Sequence, residues 1–178
     1  MSHIKSMLET YPKDLGGIDK QKLTDCIAAC FECAQTCTAC GDACLSEDMV
    51  AELTKCIRTN LDCADICAAT GKILSRHTGY DANVTRAVLE ACRLTCKACA
   101  DECESHAQMH EHCRVCAEVC RRCEAACAEL LAALGTVEAA DLQRDLGAGL
   151  VAHVGDLGQL VVGDHGELQR DVPGLDVP

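Results

Sequence analysis

The chain has 178 residues, a net charge of −12 and 18 cysteines, and its only aromatic side chains are Tyr11, Phe31 and Tyr80. This length suits one domain. The negative charge argues against a nucleic acid or an anionic membrane surface as a partner. No run of 18 consecutive apolar residues occurs, so the sequence predicts no transmembrane helix.

The start of the chain lacks the features of a secretion signal. Residues 1–20 contain neither a long apolar run nor a cleavage site of small residues. We therefore expect the protein in the cytoplasm, where thiols stay reduced. Many free thiols in a reducing compartment indicate metal or redox chemistry more than disulfides.

A short leader, residues 1–18, comes first, with a helical turn predicted near Ile4–Thr10 before Pro12. Four helices follow, with Asp19 and Ser46 as candidate N-caps of the first two and Gly135 as the residue that ends the fourth. Their predicted bounds are about Asp19–Leu45, Ser46–Arg76, Asp81–Ala107 and Met109–Leu134.

The connections between these helices are short, which forces neighbouring helices to run antiparallel. We therefore predict an all-α protein, an antiparallel up-down-up-down four-helix bundle over residues 19–134. Residues 135–178 are rich in Gly, Val and Asp and contain no cysteine. They show no sustained helical period, so an irregular, poorly ordered C-terminal tail is expected.

The spacing of the cysteines is the most informative feature of the sequence. Intervals of three and four residues alternate within each helix, so every thiol falls on one stripe, the inward-facing seam of a bundle. The stripe consists of Cys26, Cys30, Cys33, Cys37, Cys40 and Cys44 in the first helix, Cys56, Cys63 and Cys67 in the second, Cys92, Cys96, Cys99 and Cys103 in the third, and Cys113, Cys116, Cys120, Cys123 and Cys127 in the fourth.

One or two buried cysteines are usually small apolar core residues. Here all 18 cysteines lie on the core seam, where Ala, Leu or Val would stabilise a bundle better. The pattern instead predicts a tube lined with sulfur that binds metal.

Soft thiolates select Cu(I), zinc or iron–sulfur clusters. Structural zinc sites and iron–sulfur clusters usually take separated ligand sets on loops, whereas a continuous helical ladder offers thiolates that each bridge two ions. The ladder therefore favours many Cu(I) ions, on the order of one per cysteine if each thiolate bridges. An iron–sulfur electron carrier and a zinc-thiolate store remain the alternatives.

The two ends of the seam differ. At one end it continues into apolar residues and threonines, which predict a closed plug: Leu23, Thr70, Leu74, Thr85, Leu89, Leu130 and Leu134. At the other it continues into residues that can bind Cu(I) beside Cys44 and Cys113: Met49, His106, Met109 and His110. We predict that this second end admits copper, with His106 and His110 as relay or gating ligands.

Asn60 occupies a seam position where the ladder predicts a cysteine, either as an oxygen ligand or as a polar residue that sets the helix register. The remaining histidines lie off the stripe and are predicted at the surface: His3, His77, His112, His153 and His165. Neither a Glu-x-x-His motif nor a Ser/His/Asp constellation was found, so no enzyme is predicted.

Residues 1–134 resemble the bacterial copper storage proteins in their cytosolic form. The resemblance lies in the cysteine ladder, in the gap at Asn60, and in the end of the seam that carries His106, Met109 and His110. The resemblance implies a four-helix bundle that holds many Cu(I) ions and protects the cell from free copper. It also implies a homotetramer and a copper chaperone as donor. Family members carry His and Met ligands at the open end, which implies that role for His106, His110 and Met109.

Overall fold

The computed structural model describes residues 3–156, with side chains placed up to Gly135. Five helices and one 3₁₀ turn follow in chain order: α1 (His3–Glu9), α2 (Lys20–Leu45), the 3₁₀ turn Val50–Leu53, α3 (Thr54–Leu74), α4 (Ala82–His106) and α5 (Glu111–Asp156). Within these described residues there is no strand, and no helix is both long and apolar enough to cross a membrane.

Helices α2 to α5 form the predicted antiparallel four-helix bundle. Cys44, near the end of α2, lies beside Cys56, near the start of α3. Cys33, earlier in α2, lies beside Cys63, later in α3, so the two helices run antiparallel. The same reversal of order relates α3 to α4 and α5 to α2. The neighbouring cysteines in these two pairs of helices are Cys56 and Cys103, Cys67 and Cys92, Cys113 and Cys44, and Cys26 and Cys127.

N-cap side chains fix two helix starts, of which the sequence predicted the cap Asp19 and a start near Asp81. Asp19 caps α2, and its carboxylate accepts the backbone N–H groups of Gln21 and Lys22, both at 3.0 Å. Asp81 caps α4 in the same way through Asn83 and Val84. Each cap satisfies N–H groups that have no partner inside the helix.

The prediction that Ser46 starts the second helix is wrong. Ser46 is the C-cap of α2, and α3 begins at Thr54 after a turn. The reason is tertiary: Cys44 and Cys56 share one level of the bundle, with their sulfurs 3.9 Å apart. In a helix that began at Ser46, Cys56 would lie about 15 Å along the axis from Ser46, because each residue adds 1.5 Å. It would then be too far from Cys44 for their sulfurs to be in contact.

The prediction that the fourth helix ends at Gly135 is also wrong, because α5 continues to Asp156. A glycine inside a helix costs only about 1 kcal/mol relative to alanine, and the following segment is rich in alanine and leucine. The chain divides into two compact units, residues 1–140 and 141–178. Of the second unit the structure describes the helical residues 141–156, so the rest of the predicted irregular tail lies outside the described residues.

The apolar end of the bundle is closed, as predicted. Its plug residues are all buried: Leu23, Thr70, Leu74, Thr85, Leu89, Leu130 and Leu134. Helix α1 packs over this end through Leu8, which is also buried. Just after α1, Tyr11 makes an edge contact with His77, and its hydroxyl lies 3.0 Å from Thr78 Oγ1.

Candidate metal centre

All 18 cysteines are free thiols, and none is more than 2% exposed. Their sulfurs face inward from α2, α3, α4 and α5 and form one row, which we call the sulfur column. Most neighbouring sulfurs along it lie 3.4–4.0 Å apart. Near the plug, Cys127 lies within 4.8 Å of Cys30, Cys92 and Cys123. Nearer the other end, the amide of Asn60 lies between the thiols of Cys56 and Cys103 and those of Cys99 and Cys116. The column runs from Cys26 and Cys127, near the apolar plug, to Cys44 and Cys113 at the other end. The predicted sulfur-lined tube is therefore present.

Near its middle the column draws on all four helices at once. The sulfur of Cys33, in α2, lies 3.9 Å from those of Cys63 in α3 and Cys96 in α4. It lies 3.7 Å from Cys120 in α5 and 3.8 Å from Cys37 in its own helix. A soft ion in this layer would find two or more thiolates without any helix having to move.

The groups of thiols that could hold a metal ion overlap. In each group the sulfurs lie within 4.8 Å of one another, and three of the groups are Cys33, Cys63, Cys67 and Cys96; Cys33, Cys37, Cys63 and Cys120; and Cys37, Cys99, Cys116 and Cys120. Cys33 and Cys37 each belong to two of these groups. Shared thiolates suit bridged clusters of a soft ion, whereas structural zinc takes four ligands of its own.

The protonation of the thiols differs along the column. Burial raises the pKa of the Cys44 thiol to about 11 and also raises the pKa of Cys113, because a charged thiolate is poorly solvated there. A hydrogen bond from Cys127 lowers the pKa of Cys26 to about 5. Cys44 and Cys113 are therefore neutral near pH 7, and a metal ion that binds them must displace their protons.

Asn60 lies inside the sulfur column and is fully buried. Its Nδ2 donates to the backbone carbonyl of Cys56 at 2.9 Å and to the sulfur of Cys56 at 3.3 Å. Its Oδ1 accepts from the thiol of Cys116 at 3.0 Å and from that of Cys99 at 3.5 Å. The amide oxygen therefore faces the thiols, which suits an oxygen ligand. The amide nitrogen anchors the side chain to its own helix.

His106 and His110 lie where the sequence placed them, at the end of the column near Cys44 and Cys113, which we call the mouth. Their side chains are only 16% and 14% exposed. His106 Nε2 lies 3.3 Å from the carboxylate of Glu102, which also pairs with Lys55. His110 Nδ1 donates to Glu47 Oε1 at 2.9 Å. Acidic side chains thus hold both rings at the rim of the mouth.

Met49 and Met109 are exposed, at 53% and 68% of their surface. Neither side chain is packed into the column, in contrast to the buried thiols. The role of Met109 as a ligand stays a prediction.

His112 was predicted at the surface, and this prediction is wrong. Its side chain is only 25% exposed, and its Nδ1 lies 3.5 Å from the sulfurs of both Cys40 and Cys113. With Cys44 these residues form a further group that could hold a metal ion. The stripe rule misses His112 because a residue adjacent to Cys113 points about 100° away around an ideal helix. The His-x-His spacing of His110 and His112 was the sequence feature that could have identified His112 as a candidate ligand.

The other histidines lie away from the column or outside the described side chains. His3 is exposed, as predicted. His77 was also predicted at the surface but is half-buried at the closed end, where burial lowers its pKa. The predictions for His153 and His165 fall outside the described side chains.

Comparison with protein families gives one match, to copper storage proteins, over residues 19–132. No curated protein matches the chain. Several solved structures do, including the copper storage protein Ccsp from Streptomyces lividans loaded with 10 copper equivalents. That structure is 67% identical, with a TM-score of 0.73, and the match covers 73% of this chain and 98% of the other.

Two further structures show the same likeness. The cytosolic copper storage protein from Streptomyces lividans with five coppers is 69% identical, with a TM-score of 0.65 over 66% of this chain and 98% of that one. Cu(I)-bound copper storage protein BsCsp3 is 35% identical, with a TM-score of 0.54 over 60% of this chain and 94% of that one. The chain therefore belongs to the copper storage protein family, as the sulfur-lined bundle, the family match and these structures together show.

Proposed function

We propose that this chain stores many Cu(I) ions along the sulfur column and so protects the cytoplasm from free copper. The observation that carries the proposal is the sulfur column, in which each buried sulfur lies 3.4–4.0 Å from at least one other. Cu(I) is a soft ion that prefers thiolate ligands. Each Cu(I) also neutralises a thiolate charge, which reduces the cost of burying it.

The proposed ligands are the 18 cysteines, with oxygen and nitrogen ligands at two places. Asn60 Oδ1 faces the thiols of Cys99 and Cys116 and is proposed as an oxygen ligand. His112 Nδ1 faces Cys40 and Cys113 and is proposed as a nitrogen ligand at the mouth.

Copper is proposed to enter at the mouth. This end carries the half-buried rings of His106 and His110, whereas buried leucines close the other end. Imidazole nitrogen binds Cu(I) and can pass it inward to thiolate. The exposed thioether of Met109 is proposed only as a first contact for copper outside the mouth.

Overlapping thiol groups favour Cu(I) over the alternatives. Because Cys33 and Cys37 each belong to two groups, separate tetrahedral zinc sites would compete for the same sulfurs. Bridging also permits a copper content on the order of one ion per cysteine.

The cellular setting is proposed from the relatives. One is described as a cytosolic copper storage protein, which supports a cytoplasmic location for this chain. The resemblance to the family supports a homotetramer that receives copper from a chaperone. A store of this kind binds and releases metal, so we propose no catalytic activity.

Anaerobic titration of the reduced, metal-free protein with Cu(I) against a chelator tests this proposal. Many tight equivalents are expected, and they should persist in the presence of zinc. The variant in which Cys33, Cys37, Cys96 and Cys120 are all serine should fold but hold markedly fewer ions, because it interrupts the middle of the column. Saturation of the wild type at one or two ions, or stable zinc loading in the presence of Cu(I), would contradict copper storage.

A further inference from the structure

Glu47 lies in the turn between α2 and the 3₁₀ turn, beside the mouth. Its backbone N–H donates to the carbonyl of Cys44 at 3.4 Å, which ties this turn to the last turn of α2. Its side-chain Oε1 accepts from His110 Nδ1 at 2.9 Å and from His112 Nε2 at 3.0 Å. One carboxylate oxygen therefore holds two imidazole rings, whose centroids lie 5.4 Å apart.

These two hydrogen bonds determine where each ring carries its proton. An ionised carboxylate only accepts hydrogen bonds, so the ring nitrogen that faces Glu47 must be the protonated one. In a neutral imidazole the other nitrogen then keeps its lone pair. His112 is consequently protonated at Nε2 and His110 at Nδ1, so the two adjacent rings take opposite tautomers.

The tautomer of His112 has a direct consequence for the mouth. Its unprotonated Nδ1 is the atom that lies 3.5 Å from the sulfurs of Cys40 and Cys113. A lone pair at this position can bind a metal ion shared with those thiolates, whereas an N–H there would point a proton at the site. Metal-binding histidines commonly have this arrangement, in which a carboxylate accepts from the second ring nitrogen.

We propose that Glu47 is a positioning residue that selects the tautomers of His110 and His112 and so presents Nδ1 of His112 to the thiols as a ligand for Cu(I). The part that concerns copper rests on the proposed function. The selection of tautomers does not, because it concerns the metal-free protein.

Three variants separate positioning from charge. Glu47→Ala removes both hydrogen bonds. Glu47→Gln removes the charge but keeps an acceptor oxygen. Asp48→Ala is the matched control, because it removes one carboxylate from the next residue, which is exposed. All three changes lie in a surface turn, so the bundle should fold in each case, which circular dichroism can check.

The first readout is the tautomer of each ring in the reduced, metal-free protein. Long-range ¹H–¹⁵N spectra of protein labelled with [¹⁵N]histidine distinguish protonated from unprotonated ring nitrogens at a pH where the rings are neutral. Opposite tautomers are expected in the wild type, in Asp48→Ala and in Glu47→Gln. In Glu47→Ala, His110 should lose its Nδ1-protonated form, which is the minor neutral form of imidazole side chains in water.

The second readout is Cu(I) affinity by chelator competition with all four proteins. Glu47→Ala should weaken the ions bound at the mouth by about 10- to 100-fold, the usual effect of removing such a partner. It should leave the total number of bound ions unchanged, because the thiols remain. Asp48→Ala should match the wild type in both respects.

Identical tautomers in the two wild-type rings would overturn the proposal. So would an unchanged pattern in Glu47→Ala, or equal losses in Glu47→Ala and Asp48→Ala. Loss of the pattern in Glu47→Gln would also overturn it, because charge would then matter more than the hydrogen bonds. If the predicted tautomers appear in a wild type that binds only one or two copper ions, the positioning is supported and the proposed storage function fails.

Discussion

Asn60 is a polar side chain held at the centre of a thiol-lined core. Both ends of its amide are hydrogen-bonded, to the carbonyl of Cys56 at 2.9 Å and to the thiol of Cys116 at 3.0 Å. A buried amide with partners on both sides fixes the position of α3 relative to α5. Its two suggested roles, ligand and register residue, are thus compatible in one geometry.

Replacing Asn60 by alanine should destabilise the metal-free bundle. The change removes these hydrogen bonds and leaves a cavity, so the expected loss is about 1–3 kcal/mol in the free energy of unfolding. Denaturant unfolding of the reduced protein measures it. Asn83→Ala, at an exposed position of α4, is the control and should change stability by no more than about 0.5 kcal/mol. Equal stability of the two variants would contradict this role.

Copper binding at the mouth should weaken as the pH falls. Because burial raises the pKa of Cys44 to about 11, its thiol is neutral in the metal-free protein below that pH. Each such proton must leave when copper binds, so the apparent affinity should fall about tenfold per pH unit for each proton released. Chelator competition at several pH values, combined with proton release in weak buffer, measures both quantities. Affinity independent of pH would show that the bound thiols are already ionised.

Two glycines lie where α2 and α3 pack together, and their surroundings differ. A Cβ at Gly41 would meet Asn60 Cβ at 3.6 Å and Leu61 Cδ2 at 3.8 Å, which are ordinary contacts. A Cβ at Gly71 would lie 3.0–3.2 Å from the ring of Phe31, so the ring would have to move. The two positions therefore provide a matched pair.

Gly41→Ala should stabilise the reduced, metal-free protein by about 0.5–1 kcal/mol, the gain in helix propensity. Gly71→Ala gains the same propensity but must displace Phe31, so its net stabilisation should be smaller. Denaturant unfolding of both variants beside the wild type measures the difference. A Gly71→Ala protein at least as stable as Gly41→Ala would contradict the close packing of Phe31 on α3.

At the level of whole helices, local signals were predictable from the sequence and tertiary ones were not. The starts of α2 at Asp19 and α4 at Asp81 depend on side chains that cap their own helix, so the sequence contains the information. The start of α3 depends on the level at which Cys56 meets Cys44 across the bundle. His112 was missed for a similar reason, because its contact with Cys40 joins two helices at the mouth.

For the molecule as a whole, the alternating spacing of the cysteines was sufficient to predict the sulfur column. A repeat of 3.5 residues in four consecutive helices can bury its side chains only by turning every stripe toward a common axis. The apolar plug followed from the same stripe, because the leucines continue it beyond Cys26 and Cys127. The carboxylates that bind the histidine rings at the mouth lie off the stripe, so the cysteine spacing could not predict their positions.

Exposed ion pairs outside the core link α5 to both of its neighbouring helices. Arg121 in α5 pairs with Glu104 in α4 at 2.9 Å, and Arg122 pairs with Glu32 in α2 at the same distance. Such exposed pairs contribute little to stability, but they agree with the order of helices around the column. The bundle is thus a sleeve with one apolar end and one end that carries histidines.

Crystals of the Cu(I)-loaded protein, measured at the copper absorption edge, test the central claim most directly. Anomalous scattering locates each copper ion without reference to the protein atoms. The peaks should form a row along the bundle axis between the four cysteine stripes, with the outermost peak beside His112 and Cys113. Peaks confined to the protein surface, or one or two isolated sites in a column otherwise joined as cystines, would contradict storage of copper along the sulfur column.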